Sequence, residues 1–350
     1  MTRKYGVSST GLIAPIIRKG DDLAKIVTDV VLNAIDNIED GDVIGITESI
    51  VARAEGNYVT IDEVAEDIKK VMKNPKCINL KYPIYSRNRF AMILKAFARA
   101  AKDEVNIYMP VIDEVGNVLI NHPFTKINYN DYYKSIVEAE GKKCSIFDKC
   151  LLEDNYVDCG LHPEDYDFDI DKDNIYTLID FCKDKCEYGL LGSNKASEEK
   201  LKLFPSKKYS QKLVEQIRRN IIGARGKIVH VFVFGDGCYK DPDSGIFEFA
   251  DPVTSPAYTK GLNGTPNELK LKALADDKFK DLNGEELSNA IKNEIMNKET
   301  NLVGKMCSQG TTPRRYINLL ASLADLTVAS GEKGTPIVYI KNYFKNYADE

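Results

Sequence analysis

The apolar run from Ile228 to Phe234 constrains the fold more than any other feature of the sequence. A continuous run of this length, interrupted only by His230 and followed by turn residues, predicts a strand that is buried on both faces. The run leads directly into Gly235-Asp236-Gly237. Because open α/β sheets bind ligands outside the carboxyl ends of their strands, Asp236 is the best single candidate for chemistry. A tight turn without further function is the alternative.

Apolar spacings elsewhere alternate between helix and strand periodicity. Spacings of three and four predict a helix from Leu23 to Ile38, with Asp21 as its N-cap. Further helices are predicted over 50–55, 61–71, 90–101, 212–222, most of 266–297 and 316–328, and further strands over 43–47, 106–112, 115–120 and 336–340. Helices and strands in this succession indicate a mixed α/β core of the α+β class.

The length of 350 residues suggests about two domain-sized units. Residues 125–205 differ from the rest because they are rich in Asp, Lys, Tyr and Asn, carry five of the eight cysteines and lack clear periodicity. We therefore interpret 125–205 as an insertion or subdomain of unknown role. Residues 1–124 and 206–350 then form the two parts of the main domain.

Composition excludes several classes of protein. The 48 basic and 53 acidic residues give a net charge of −5, which argues against a generally cationic nucleic-acid surface. The longest apolar run has seven residues, far fewer than the roughly 20 that span a bilayer. Neither a signal peptide nor a disulfide framework is evident, so a cytoplasmic protein with reduced thiols is expected.

The usual phosphate-binding and nucleophile motifs are absent. Lys227 follows Gly226, but the preceding residues do not form a P-loop, and Gly235-Asp236-Gly237 lacks the third glycine of a dinucleotide fingerprint. Acidic residues near Asp236 suit Mg²⁺ or Mn²⁺, although a solvated acidic loop would look the same. The cysteines, including Cys182 and Cys186, have no zinc-site spacing, so free thiols are the expected state.

Four segments resemble a known family. Gly11-Leu-Ile-Ala-Pro15, Gly20-Asp-Asp-Leu23, Asp40-Gly-Asp-Val-Ile44 and Ile46-Thr-Glu-Ser-Ile-Val-Ala-Arg-Ala-Glu-Gly56 are similar, in order and spacing, to the N-terminal signature of the coenzyme F420-0:L-glutamate ligase (γ-glutamyl ligase) family. Residues 228–237 resemble its central strand and metal-binding aspartate. Residues 320–326 and 334–340 resemble its closing helix and strand.

The resemblance implies an α+β γ-glutamyl ligase-like fold in an intertwined homodimer. It also implies an enzyme that uses GTP, with Mn²⁺ or Mg²⁺, to add L-glutamate to a carboxylate acceptor, a phosphorylated deazaflavin in the family, through an acyl phosphate. Carried over by position, the nucleotide-binding residues are Leu12, Ile13, Ala14, Pro15, Glu48, Ser49 and Arg53. Asp236 would be the catalytic and metal-binding residue, and Asp113 a candidate for a second metal ligand.

Two departures from the family pattern leave alternatives open. Glu48-Ser49 stands where the family has Ser-Lys, and Asp236-Gly237 stands where it has Asp-Thr. A relative that binds a nucleotide or metabolite without catalysing ligation is therefore the main alternative. A metal- or thiol-dependent role centred on residues 144–186 is a further one.

Overall fold

The structure is a computed structural model that describes residues 5–81, 87–109, 126–148, 155–159, 175–236, 239–240, 247–248, 253–302, 304–305 and 314–349. The chain divides into two units. The first unit combines Met1–Ala54 with Lys207–Glu350, and the second unit is Glu55–Ser206. Among the described residues, no helix is both long and apolar enough to cross a bilayer.

The first unit contains strands and helices from both ends of the chain. They are β1 (Ser8–Leu12), α1 (Leu23–Ala34), β2 (Val43–Thr47), α2 (Glu48–Glu55), α6 (Lys207–Arg225), β11 (His230–Asp236), β12 (Tyr239–Lys240), β13 (Phe247–Glu248), β14 (Val253–Tyr258), α7 (Leu271–Ala273), α8 (Gly284–Met296), α9 (Tyr316–Val328) and β15 (Ile337–Lys341).

The main sheet of the first unit has the order β1-β15-β2-β11-β14. β2 and β11 are parallel, whereas β15 is antiparallel to both β1 and β2, and β14 is antiparallel to β11. β1, β2 and β11 therefore run in one direction and end at one edge of the sheet, which we call the carboxyl edge.

Helices cover both faces of this sheet because its central strands are apolar on both sides. Ile44 and Val231 lie in a core that includes residues of α1 and α6. Val43 and Phe232 point to the opposite face and pack with residues of α9. The continuous apolar run that predicted β11 is thus the signature of a central strand buried on both faces.

The second unit contains a parallel sheet and a smaller antiparallel one. Its elements are β3 (Tyr58–Thr60), α3 (Ile61–Val71), β4 (Cys77–Lys81), α4 (Arg87–Ala100), β5 (Glu104–Tyr108), α5 (Tyr129–Ala139), β6 (Lys143–Phe147), β7 (Tyr156–Asp158), β8 (Ile175–Thr177), β9 (Asn194–Ser197) and β10 (Lys200–Lys202). The parallel sheet has the order β6-β5-β4-β7-β8, and the antiparallel sheet has the order β3-β10-β9.

The faces of the parallel sheet differ in polarity. Ile78 and Leu80 of β4 belong to a large apolar core together with Phe90 and Phe97 of α4. The alternate residue Asn79 points to the other face, since successive strand residues point to opposite faces, and its side-chain oxygen accepts a hydrogen bond from Asn106 of β5 at 3.1 Å.

The two ends of the second unit are joined to each other. The backbone N–H of Ser206 donates to a carboxylate oxygen of Glu55 at 2.9 Å, and the Ser206 hydroxyl donates to the other oxygen. A backbone hydrogen bond of 3.0 Å from Leu203 to Asn57 lies next to this contact. The positions where the chain enters and leaves the unit are therefore adjacent.

The mixed α/β class is confirmed, and several predicted elements have the observed bounds. β2, α3 and α9 coincide with the predicted segments 43–47, 61–71 and 316–328. The first helix begins at Leu23 as predicted, but the predictions for its N-cap and for its last residue were wrong. Asp22 is the N-cap, with its side chain accepting from the Lys25 N–H at 3.0 Å, and the helix ends at Ala34 because Ile35 is extended.

The predictions for residues 115–120, 266–297 and 125–205 have different outcomes. The predicted strand 115–120 lies outside the described residues. Within 266–297, the helical segments are α7, a π-helical turn at Leu274–Lys278, and α8. The segment 125–205 lies in the second unit, Glu55–Ser206, which also takes in residues 55–124.

Candidate functional site

The carboxyl edge of the first unit brings together the segments that the sequence singled out. Leu12, Thr47 and Asp236 are the last residues of β1, β2 and β11. β2 and β11 are neighbours, with Thr47 opposite Phe234, and β15 alone separates β1 from β2. Since strands in a sheet lie about 4.8 Å apart, β1 and β11 are about 14 Å apart across the sheet. The register places Leu12 in the row of Val233, so β11 continues beyond the end of β1 to Asp236.

Glu48 is a buried carboxylate at this edge. It is the first residue of α2, which follows β2 without a loop, and it is only 6% exposed. A Cβ added to Gly235 would lie 2.0 Å from Glu48 Cγ, so the Glu48 side chain lies directly against the glycine backbone. Gly235 therefore makes room for the Glu48 side chain at the end of β11.

Thr47 adds an unpartnered hydroxyl to the same place. Its Oγ1 is buried and has no hydrogen-bond partner among the described residues. A buried hydroxyl without a partner costs free energy unless a ligand or water completes it. Thr47 and the N-terminus of α2, whose first N–H groups have no partner within the helix, suit an anionic ligand at this edge.

The predicted nucleotide segment Leu12–Pro15 lies against the segment that precedes β15. The Ala14 N–H donates to Gly334 O at 3.1 Å, so this amide is used within the protein and is not available to an anion. Leu12 is buried, whereas the Ile13 side chain is 77% exposed. What the segment offers a ligand is therefore an apolar surface and its remaining backbone groups.

Ser49 and Arg53 occupy successive turns of α2. Ser49 is half-buried, and the Arg53 side chain is exposed, with its Nε donating to Ile17 O at 3.0 Å. A second contact nearby, from the Gly20 N–H to Ala54 O at 2.9 Å, fixes the same stretch of chain onto α2. Arg53 thus anchors the segment after β1 and keeps a positive charge near the carboxyl edge.

The metal assignment depends on Asp236 and Asp113. The backbone of Asp236 pairs with Val253 at the end of β11. Asp113 lies outside the described residues, and within the described ranges no group of three or more metal-ligating side chains is found. The buried Glu48 carboxylate is of a kind that suits a hard divalent ion, because Mg²⁺ sites use one or two carboxylates together with substrate phosphates.

The described cysteines of residues 144–186 are buried thiols rather than reactive ones. Burial raises the pKa of Cys144 to about 11 and that of Cys182 to about 12, and it also raises the pKa of Cys159. A thiol with a raised pKa is a poor nucleophile and a poor metal ligand near neutral pH. A thiol-dependent role for these residues finds no support in this environment.

Sequence reasoning missed three contacts at the carboxyl edge. Gly334, in the left-handed region at φ 66°, accepts the Ala14 hydrogen bond, and a Cβ on Gly11 would lie 3.0 Å from Thr335 Cβ. The closeness of Gly235 to Glu48 was also missed. The only sequence signal for these contacts is the presence of glycine where two backbones approach each other.

Comparisons with known proteins agree with the resemblance. The family profile described as F420-0:Gamma-glutamyl ligase matches residues 11–342. A coenzyme F420:L-glutamate ligase of Methanothermobacter thermautotrophicus is 35% identical over 60 residues, which are 17% of this chain and 24% of that protein. The aligned part is thus about a quarter of the relative's length, whereas the family profile extends over both units.

Proposed function

The chain belongs to the F420-0:gamma-glutamyl ligase family, and we propose on this basis that it is an amide ligase that joins L-glutamate or a similar amino acid to a carboxylate acceptor. GTP is the proposed energy source, and Mn²⁺ or Mg²⁺ the proposed metal. The observation that supports the proposal best is the carboxyl edge, where the buried Glu48 side chain packs on Gly235 and where the buried Thr47 hydroxyl has no hydrogen-bond partner among the described residues.

The chemistry divides into two steps. The acceptor carboxylate attacks the terminal phosphorus of the nucleotide and displaces the nucleoside diphosphate, which gives an acyl phosphate. The amine of the amino acid then attacks the acyl carbon and displaces inorganic phosphate. A divalent ion held by Glu48 and Asp236 would offset charge on the phosphates.

The protein's own groups have defined parts in this scheme. The N-terminal amides of α2 and the Thr47 hydroxyl would hold phosphate oxygens, and the Arg53 guanidinium would add a positive charge. Ile13, exposed beside the carboxyl edge, would contact the nucleoside. Ser49 replaces the lysine of the family pattern, so less positive charge is available here.

We also propose that the enzyme acts as a homodimer in the cytoplasm. β1 is an edge strand of its sheet among the described residues, and exposed apolar side chains precede it (Tyr5 and Val7) and follow it (Ile13 and Ile16). An unpaired edge flanked by exposed apolar residues is typical of an interface. Sedimentation of the purified chain at micromolar concentration tests this proposal.

Phosphate release from GTP, measured with and without glutamate and with a panel of carboxylate acceptors, tests the ligase proposal. Release should depend on the amino acid, the acceptor and the metal together, and the Asp236→Asn variant should lose it while keeping its fold by circular dichroism. No turnover across the panel with either metal would contradict the proposal.

A nucleotide- or metabolite-binding relative without catalysis is the second candidate. The replacement of the family's Ser-Lys by Glu48-Ser49 favours it, because a cation that would face phosphate is absent. Calorimetry separates the two candidates. Tight GTP binding without amino-acid-dependent turnover supports the second candidate and rules out the first.

A further inference from the structure

Helix α6 is strongly basic, although the chain as a whole is acidic. It carries six basic residues and one acidic residue, Glu215, whereas the net charge of the chain is −5. Its apolar face is buried in the core of the first unit through Leu213, Val214, Ile217 and Ile221. An amphipathic helix directs its polar residues away from the core, so the positive charge of α6 lies on its outer surface.

Five of the six basic residues form a surface that we call the basic face of α6. Lys208, Lys212 and Arg219 lie on one stripe, because residues 4 and 11 positions apart are separated by about one and three helical turns. Arg218 and Arg225 are about two turns apart and lie on a neighbouring stripe. Arg218 is half-buried, and the other four residues are exposed.

The first stripe is not neutralised by the described part of the chain. The side chains of Lys208 and Lys212 have no ion pair or hydrogen bond there, and Arg219 donates to Gln216 Oε1 at 2.8 Å. Glu215 lies between Lys212 and Arg219 in the sequence but forms no ion pair with either of them. Like charges four residues apart, and a cation in the first turn of a helix, both cost stability. The stability of α6 therefore does not explain this stripe.

The second stripe keeps hydrogen-bond donors for an acceptor outside the described residues. The Nε of Arg218 is buried and has no partner among them. Arg225 donates through Nη2 to Leu32 O at 3.4 Å. A buried N–H group without a partner costs free energy until a ligand or water completes it. The guanidinium groups of this stripe therefore suit an anionic partner.

We propose that the basic face of α6 is a docking surface for an acidic segment of a partner protein, in which glutamate or aspartate alternates with other residues. In an extended segment, side chains on one side recur about every 6.6 Å. Lys208 and Lys212 are about 6 Å apart along the helix axis, so successive carboxylates of the segment would pair with successive ammonium groups. The inference does not depend on the proposed ligase activity.

The length of the basic face sets the length of the segment. From Lys208 to Arg225 the helix rises by about 26 Å, which corresponds to about eight residues of extended chain. A segment of this length with four or so carboxylates would contact both stripes.

Nucleic acid and membrane surfaces fit this face less well than an acidic segment. Single-stranded nucleic acid stacks its bases on aromatic side chains, and the one aromatic residue of α6, Tyr209, is half-buried against the apolar core. A helix that lies on a membrane inserts an apolar face, whereas the apolar face of α6 is buried in the protein. Ile222, at 37%, is the one large apolar side chain that α6 exposes.

A fluorescein-labelled peptide of about ten residues, in which glutamate alternates with serine, is the probe. Its fluorescence anisotropy should rise to saturation as the unaltered chain is added at low salt. Affinity should fall at least tenfold between about 50 mM and about 300 mM salt, because salt screens exposed charges. The same labelled peptide with glutamine in place of glutamate should not bind. No saturation up to millimolar protein, affinity that is independent of salt, or equal binding of the two peptides would overturn the proposal.

Two triple variants locate the peptide. The test variant replaces three cations of the basic face by glutamine: Lys208→Gln, Lys212→Gln and Arg219→Gln. The control variant removes the same charge from exposed positions of the second unit: Lys73→Gln, Lys76→Gln and Lys102→Gln. Affinity should fall at least tenfold in the test variant and should stay within twofold in the control. Equal losses in the two variants would show that net charge alone matters and would overturn the proposal.

Competition separates this surface from other anion sites. Excess GTP with Mg²⁺ should not displace the peptide, and Asp236→Asn should bind it as the unaltered chain does. Displacement by GTP would place the peptide in the proposed nucleotide site and overturn the inference. An oligothymidylate that displaces the peptide at a lower concentration than the unlabelled peptide would assign the face to nucleic acid instead. The peptide comparison and the salt series use the unaltered chain, so they decide the outcome even if a variant fails to fold.

Discussion

Glu48 illustrates how one small neighbour determines the position of a charged residue. Its carboxylate is buried only because Gly235 has no side chain at the point of contact. A carboxylate held at a strand end by packing keeps its place without a flexible loop, as the proposed metal site would need. The contact between Glu48 and Gly235 can therefore be tested by substitution of the glycine.

Gly235→Ala should move Glu48 and destabilise the first unit. The added methyl group meets Glu48 Cγ at 2.0 Å, and such overpacking costs about 1–3 kcal/mol. The midpoint temperature of thermal unfolding and the rate of metal-dependent phosphate release should both fall. Gly223→Ala is the matched control, because a Cβ there meets nothing within 4 Å and alanine favours a helix by up to about 1 kcal/mol. If the two variants have the same midpoint temperature of unfolding, the contact between Gly235 and Glu48 does not matter for stability.

Arg53→Ala tests whether this guanidinium serves a ligand as well as the fold. The Nε hydrogen bond to Ile17 O is lost in any case, so a small loss of stability is expected. If Arg53 also contacts phosphate, GTP affinity should fall by about 1–3 kcal/mol. Arg53→Lys keeps the charge and serves as the comparison. Unchanged affinity in the alanine variant by calorimetry would assign Arg53 to structure alone.

At the scale of elements, a cluster of charges fastens the C-terminal strand to the connection between α1 and β2. Glu39 lies in that connection and pairs with Lys341, at 3.0 Å, and with Lys345. Hydrogen bonds from Lys345 and Lys341 lower the pKa of Glu39 to about 2. β15 lies between β1 and β2, so this contact supports the middle of the main sheet.

The pH dependence of stability should reveal this cluster. Because the pKa of Glu39 is lower in the folded chain than its ordinary value of 4.5, its contribution is complete above about 4.5 and is lost as pH falls toward 2. The melting temperature of Glu39→Gln should therefore be lower than that of the unaltered chain at pH 7. This difference in melting temperature should shrink as pH is lowered toward 2. Glu66→Gln, at a 72% exposed position, should show little difference at either pH. If the difference in melting temperature between Glu39→Gln and the unaltered chain did not change with pH, the stabilising role of the ionised Glu39 would be contradicted.

Elements with strong local patterns could be predicted from the sequence. β2 and α9 have the predicted bounds because continuous apolar character and helical spacing are properties of the segment itself. The predicted strand 106–112 overlaps β5, but the other strands of this parallel sheet were missed. β7 and β8 have three residues each, and one face of the sheet carries Asn79, Asn106 and Asp158. Short strands with polar residues on one face show little apolar periodicity, so residues 125–205 looked irregular.

At the candidate site, too, only features with a local sequence pattern could be predicted. The sequence identified Glu48 and Asp236 as neighbours of strand ends, and parallel strands bring such ends to one edge. The contacts of Gly235 with Glu48 and of Ala14 with Gly334 join residues far apart in the chain. Contacts of that kind depend on the assembled fold and leave no local pattern to read.

At the scale of the whole molecule, the chain has separate apolar cores in its two units. The large core of the second unit contains only residues between Val59 and Phe204, and the cores around the main sheet contain residues of the first unit. Proteins with more than one core commonly unfold in more than one step. The two units are expected to differ in stability.

Tryptophan reporters can test this expectation, since the chain has none of its own. Phe344→Trp reports on the first unit and Tyr132→Trp, at a 42% exposed position, on the second. In urea, the two fluorescence transitions should have different midpoints, while circular dichroism shows both. Superimposable transitions from the two reporters would mean that the chain unfolds as a single cooperative unit.

The contact between Glu55 and Ser206 has a consequence for the history and the engineering of this protein. Because the first and last residues of the second unit are hydrogen-bonded to each other, residues 55–206 form an insertion at one position in the chain of the first unit. A short hairpin spliced between Ala54 and Lys207 should be enough to close the gap, and a foreign module with neighbouring termini could be grafted in its place.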